Sequence, residues 1–281
     1  MEFGVTIFLT DRSIGPGEVA REAEARGFTS LFLPEHTHIP SSRRTPAPMG
    51  EPLPDEYSRI LDPFVALTVA AGATERIKLG TGICLVAQRD PFVTAKEVST
   101  LDLVSGGRFV FGIGFGWNVE EIEDHGVEFP RRRALGRENV LAMMKLWSDD
   151  VATFDGEFVK FEPSWAWPKP VQRPRPDVLI GGQGGPVLFR HVAEYADGWM
   201  PVGARGVAKN LPVLRALFEE AGRDQASLRV VPLGTIPEAG KLEYLAGLGI
   251  TEIVLNLPSA DRDTVLGVLD DHAKIVEPFR S

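Results

Sequence analysis

Ile77 to Asn118 constrains the fold of this chain more than any other stretch, because it reads as strand, helix, strand with glycine at both strand ends. Ile77 to Val86 is apolar nearly throughout, carries β-branched residues at Ile77, Thr81, Ile83 and Val86, and is interrupted by Gly80 and Gly82. Such a run fits a strand buried on both faces, as in a parallel sheet. Pro91 suits the first turn of a helix, and Ala95, Val98, Leu101 and Leu103 carry that helix to a stop at Gly106-Gly107. Arg108 to Gly114 then re-enters the sheet, and its end dissolves into Gly112, Gly114 and Gly116. Glycine at such a place lets a backbone come close to a ligand. Ligands of parallel α/β sheets sit at the carboxyl ends of the strands, so Gly82 to Leu85 and Gly112 to Asn118 are expected to face one site.

The rest of the chain repeats this alternation. Strands are expected at Phe3–Leu9, Ser30–Pro34, Ile77–Val86, Arg108–Gly114, Val178–Ile180, Gly198–Val202, Leu228–Leu233 and Glu252–Leu257, each followed by a helix or helix-like segment. The expected fold is therefore a single-domain (β/α)8 TIM barrel over residues 1–281, with insertion loops at the C-terminal face of the strands. A doubly wound open sheet is the fallback. Ile39 to Tyr57, with five prolines and the pair Arg43-Arg44, is expected to form a lid over the strand ends. Ser164 to Asp177 is a second irregular insertion and carries Trp165 and Trp167. Phe154 to Phe161 reads as a small hairpin turning at Asp155-Gly156.

Composition excludes several function classes. Thirty basic against 39 acidic residues leave a net charge of −9, which argues against a general nucleic-acid or anionic-membrane surface. No uncharged apolar segment approaches the roughly 18 residues of a membrane span. The one cysteine, Cys84, cannot form an intrachain disulfide, and no secretory leader is evident, so a cytoplasmic location is expected.

Gly112-Ile113-Gly114-Phe115-Gly116 fails the G-x-G-x-x-G spacing, which rejects a Rossmann dinucleotide site. A phosphate could still rest on backbone N–H groups there, or at Gly181 to Gly185 where a helix begins; ligand-free tight turns are the alternative. Glu35 and His36 directly follow a buried strand and so stand at its rim. A histidine there can exchange a proton with a reacting ring, and a neighbouring carboxylate can fix its tautomer; a surface ion pair is the alternative. His38 reads as a loop residue and His191 as structural, and with His125 and His272 they show no metal-site spacing. Cys84 reads as core filler. Arg131-Arg132-Arg133 opens a helix, where cations are mildly unfavourable, pointing either to an anion or to a solvated cluster.

The run from Gly80 to Val127, with WPKPVQRPRPDVLIGG and YADGWMP, resembles the luciferase-like monooxygenase superfamily over nearly the whole chain. LPEHTHIP and the C-terminal LGITEIVLNLPSADRDTVLGVLD are most similar to its actinobacterial branch that uses the deazaflavin coenzyme F420. The resemblance implies a TIM barrel, usually a homodimer, with the flavin or deazaflavin across the strand ends. It makes Glu35 and His36 the acidic residue and histidine at the ring, with His36 the acid/base group. Gly82-Ile83 falls where such enzymes carry a cis non-proline peptide against the ring. Gly112, Gly114, Phe115, Gly116, Trp117 and Asn118 match a loop holding the cofactor tail phosphate, and Gly181, Gly182 and Gly184 a second one. Trp117 departs from the sugar-phosphate dehydrogenases, which have a glutamate there.

These matches imply an oxidoreductase passing a hydride between C5 of F420 and a small organic substrate. Trp117, Phe115, Trp165 and Trp167 are expected to make the pocket apolar. The alternatives are an FMN-dependent monooxygenase served by a reductase partner and reacting with oxygen, and a non-catalytic flavin- or deazaflavin-binding protein.

Overall fold

Pairing of the strands follows directly from their buried, β-branched composition. The computed structural model describes residues 1–280. Its strands are β1 (Glu2–Thr6), β2 (Ser30–Leu33), β3 (Lys78–Thr81), β4 (Cys84–Leu85), β5 (Phe109–Gly114), β6 (Ala152–Asp155), β7 (Lys160–Ser164), β8 (Val178–Gly181), β9 (Gly198–Met200), β10 (Arg229–Val230), β11 (Leu233–Thr235) and β12 (Glu252–Asn256). All but the β6-β7 hairpin join one parallel sheet in the order β10-β9-β8-β5-β3-β2-β1-β12-β11, with β4 beside β5. The two ends of that path are consecutive in the chain. Between them, Val202 bridges to Leu233, whose N–H donates to Pro201 O at 2.8 Å, while Val254 N–H donates to Pro232 O at 2.9 Å. The fold is thus α/β with a curled parallel sheet.

Helices α1 (Pro16–Ala25), α2 (Pro63–Gly72), α3 (Pro91–Val104), α4 (Val119–Asp124), α5 (Arg132–Ser148), α6 (Pro186–Tyr195), α7 (Val207–Glu220), α8 (Ala239–Gly247) and α9 (Arg262–Val276) connect the strands. Their starts are legible in chemistry: Pro16, Pro63, Pro91 and Pro186 occupy the first turn, and Asp62, Asp90 and Asp261 accept capping hydrogen bonds from the N–H groups that follow. Among the described residues no helix is long and apolar enough to cross a membrane.

Two expected strands are broken. Ile77 to Val86 divides into β3 and β4 at the Gly82-Ile83 peptide, which is cis. Leu228 to Leu233 divides into β10 and β11 around Val231-Pro232, where proline has no N–H for the ladder. The hairpin forms, but its loop is Gly156 to Val159 rather than a turn at Asp155-Gly156, because Asp155 already pairs with Lys160 and Gly156 N–H bonds Val159 O.

Side-chain alternation on β5 explains the glycines. Phe109, Phe111 and Ile113 face the helices, whereas Val110 joins an inner cluster with Phe32, Leu179, Met200, Val231, Leu233 and Val254. Gly112 and Gly114 share Val110's parity. A methyl group on Gly112 would meet Thr81 O at 2.0 Å, and one on Gly114 would meet Ile83 Cδ1 at 1.8 Å. A methyl group on Gly181 would meet Ile83 Cγ2 at 2.5 Å. The inward faces of these glycines make room for the Thr81 carbonyl and for the side chain of Ile83.

Overpacking of this contact is separable by a double-mutant cycle. Gly114→Ala is expected to destabilise the protein by about 1–3 kcal/mol in the native background and by clearly less in Ile83→Ala, since touching sites couple by roughly 0.5–3 kcal/mol. Urea denaturation of the four proteins checks this.

Candidate functional site

Pro34, Glu35 and His36 leave β2 at its carboxyl end. Leu33 O accepts from Gly82 N–H at 2.7 Å, so this exit lies beside the β3-β4 break.

Glu35 is 4% exposed and fully engaged. One carboxylate oxygen accepts from Leu85 N–H at 2.6 Å and the other from Arg89 Nε at 2.6 Å. Arg89 also pairs with Asp62 at 2.8 Å and Glu97 at 2.9 Å, and its guanidinium lies 4.7 Å from the Phe64 ring centre. Burial, the largest single influence, would lower the Arg89 pKa, but the charge and hydrogen bond of Glu35 together with Cys84 and Glu97 outweigh it and the pKa is raised. Burial, reinforced by Glu35, pushes the Cys84 thiol well up, which keeps it protonated and suits core filler rather than nucleophile. Glu35 was expected to touch a cofactor or fix His36. The geometry gives its oxygens to the β4 backbone and to Arg89, where losing one partner of a buried pair costs about 3–5 kcal/mol.

The carboxylate that holds His36 comes from α4. Glu121, 1% exposed, places Oε2 at 2.8 Å from His36 Nδ1 and accepts the Thr37 N–H through Oε1 at 3.2 Å. A carboxylate oxygen accepts, so Nδ1 carries the donated hydrogen and a neutral ring presents its lone pair at Nε2. The hydrogen bond of the ring to a described residue is the one at Nδ1, which leaves Nε2 for other partners. The His36 ring is flanked by Tyr57 at 5.4 Å and, edge to face, by Trp117 at 5.8 Å. Sequence reasoning missed both Glu121 and Tyr57. A signal existed for the first: Asn118 followed three residues on by Glu121 is a capping-box pattern. Asn118 does cap α4, accepting from Glu121 N–H at 3.3 Å, but the glutamate side chain reaches His36 instead of closing the box.

A second cluster joins the two glycine-rich loops. Phe115 lies 5.3 Å from the His191 ring on α6, which lies 5.8 Å from Tyr195, and the Arg133 guanidinium of α5 covers Phe115 at 5.1 Å. Buried here without partners are Arg133 Nη1, His191 Nδ1 and Tyr195 Oη, and nearer Gly116 both amide atoms of Gln88 and Asn118 Nδ2. Burial lowers the His191 pKa, which favours the neutral ring. Gly116 and Gly182 take φ of +74° and +130°, the left-handed region that glycine tolerates. Gly184 packs against Phe189 and Trp199. Of Arg131, Arg132 and Arg133, the first pairs with Glu157 and the second bonds Gly116 O and Phe129 O, leaving Arg133 as the member with an unpaired donor.

The expected aromatic pocket is only partly assembled. Trp117 stands at His36, but Phe115 is buried in the second cluster. Trp165 is 81% exposed, and Trp167 meets Lys96 and Lys169, since Asp102 draws Val171 and Gln172 of this insertion onto α3. His38 and His125 share Thr37 Oγ1, His272 bonds Asn256 O, and no metal-holding group occurs among the described residues. A cavity of about 480 Å³ opens at the other end of the strands, but its Glu2, Lys78, Arg229 and Glu252 are paired with one another. It reads as a structural rim.

The sequence matches the family described as luciferase-like monooxygenase over residues 16–237. An uncharacterized protein of Mycobacterium tuberculosis is 44% identical over 268 residues, 94% of each chain. An F420-dependent glucose-6-phosphate dehydrogenase of Kineococcus radiotolerans is 28% identical over 232 residues, covering 76% of this chain and 61% of the relative. Among solved structures, an F420-dependent secondary alcohol dehydrogenase in complex with an F420-acetone adduct superposes with a TM-score of 0.80 at 19% identity, covering 100% of both chains, and so shares the fold. The chain belongs to the luciferase-like monooxygenase family.

Proposed function

We propose that this chain is an F420-dependent oxidoreductase that passes a hydride between C5 of the deazaflavin and a small organic substrate, with His36 holding or moving the accompanying proton. The observation that carries this reading is His36 itself: its ring is oriented by Glu121 and walled by Trp117 and Tyr57, on the β2 exit whose Leu33 carbonyl accepts from Gly82 N–H. The cofactor would supply the hydride chemistry; the protein supplies orientation and exclusion of water. Kinship with F420-dependent dehydrogenases supports the choice of cofactor.

The residues present fit such a group. Gly82 and Ile83 would meet the ring system. Gly112, Gly114, Phe115, Gly116, Trp117 and Asn118, with Gly181, Gly182 and Gly184, would carry its tail. The unpaired Arg133 Nη1 and the N-terminus of α6 suit a phosphate there. We also read the curled sheet as a (β/α)8 ring in which β3-β4 and β10-β11 each count as one interrupted strand. Exposed Val65 and Val69 on α2 and Phe92 and Val93 on α3 support the homodimer, whose second copy would cover them.

Parallel titrations with oxidised F420 and with FMN test the cofactor. F420 is expected to raise Tm by mass action and FMN to do little, with Arg133→Gln weakening F420 binding roughly tenfold or more, as for loss of a charge-assisted hydrogen bond. Preferential FMN binding would replace this reading with the monooxygenase. The role of Glu121 has its own readout. In ¹⁵N-histidine spectra, native His36 should show the Nδ1–H tautomer, Glu121→Ala should shift it toward Nε2–H, and Glu121→Gln should restore part of the native signal. An unchanged tautomer in Glu121→Ala would remove Glu121 as the positioning residue.

A further inference from the structure

The segment 39–57 carries an arginine whose donors lack acceptors. Arg43 Nε and Nη1 are both buried without a partner, and Arg43 alone among the described arginines has two such nitrogens. A quarter of the Arg43 side chain is exposed, but these two nitrogens are covered, and a covered donor without an acceptor costs free energy. Arg43 is also the one described residue other than glycine at positive φ, 47°. A side chain held in the left-handed region at a functional rim has a reason to be there. Its third guanidinium nitrogen, Nη2, is tethered by Glu51 Oε1 at 2.7 Å. Glu51 is 42% exposed, so this pair is solvent-screened and leaves most of the cation's demand for a partner unmet.

Position connects this group to the reaction. The Arg43 guanidinium carbon lies 5.9 Å from the Trp117 ring centre, and Trp117 stands edge to face with His36 at 5.8 Å. One indole therefore separates the Arg43 guanidinium from the His36 ring. The neighbouring Arg44 is differently employed, exposed and paired with Glu120 at 3.2 Å. Glu120 also accepts from Thr45 N–H at 3.0 Å and from the Thr45 hydroxyl, which fixes the backbone beyond Arg43. Arg43 is thus a cation presented on a braced loop.

We propose that Arg43 recognises an oxyanion, a carboxylate or a phosphate, on the substrate that reacts at His36. This rests on the reading of the His36 face as the reaction site. Both nitrogens are covered in this conformation, so the anion enters as segment 39–57 lifts and is enclosed when it settles.

The test uses the full chain with benzoate and inorganic phosphate as probes at constant ionic strength, followed by calorimetry and tryptophan fluorescence. Phosphate is titrated in the Arg133→Gln background, which removes the other anion-binding cluster. Saturable binding of at least one probe is expected, with affinity falling roughly tenfold or more in Arg43→Gln and less in Arg43→Lys, which keeps the charge but loses the planar fork. Trp117→Phe should abolish most of the fluorescence change while calorimetric binding persists. Benzoate alone would assign a carboxylate; phosphate alone, a phosphate ester. Undiminished binding in a folded Arg43→Gln protein, or no saturable binding of either probe, overturns the proposal. If F420 fails to stabilise the protein but the probes still bind through Arg43, the cofactor reading falls and the anion site stands; the converse removes Arg43 alone.

Discussion

The side chain of Ile83, turned into the sheet's inner face, is the constraint on which the rest of the structure depends. It occupies the space over Gly114 and Gly181, and Gly112 accommodates the neighbouring Thr81 carbonyl. Two strands, β5 and β8, thereby give up three side chains to one chain break. With β3 interrupted, β4 needs another anchor, and the buried Glu35 supplies it through Leu85 N–H and Arg89. An ordinary β-branched residue at Gly114 or Gly181 would exclude Ile83 and push the strand end back into line. The glycine pattern at these three positions is therefore required by packing.

Helix α4 divides two of its three glutamates between two tasks. Glu120 braces the segment after Arg43, where its carboxyl is held below the usual range by the Thr45 hydroxyl and amide, and Glu121 sets His36. A helix this short has little stability of its own. Asn118 caps its N-terminus, and the carboxylates of the same first turn couple it to the β2 exit and to the segment after Arg43. Anything that shifts α4 moves both the imidazole and the segment 39–57.

Much of this was legible in the sequence. The strand–helix–strand unit from Ile77 to Asn118 stands where periodicity put it except that its first strand is divided at Gly82-Ile83, and His36 lies at the rim that follows from a buried β2. What escaped has physical causes. Glu35 and His36 are adjacent in sequence, yet successive residues leaving a strand point apart, so the nearer carboxylate serves Arg89 and the farther one, 85 positions on, serves His36. Trp165 and Trp167 looked like pocket walls by residue type alone; the buried Asp102, which pins Val171 and Gln172, decides their location, and no local pattern announces it. The unpaired Arg133 could not be told from Arg131 and Arg132 without knowing that Glu157 and two carbonyls satisfy the other two.

These contacts also separate what can vary from what cannot. His36, Glu121, Ile83 and the inner glycines are locked by buried packing and by hydrogen bonds between different strands and helices, so each substitution there disturbs several neighbours at once. Residues 39–54 form no helix or strand and are held largely by Glu120 and Glu51. Changes in that segment alter the wall facing His36 at little cost to the sheet. On the function proposed above, specificity carried by a segment outside the sheet, over acid/base chemistry at the β2 exit, would let the same sheet serve different substrates without rebuilding the His36–Glu121 pair.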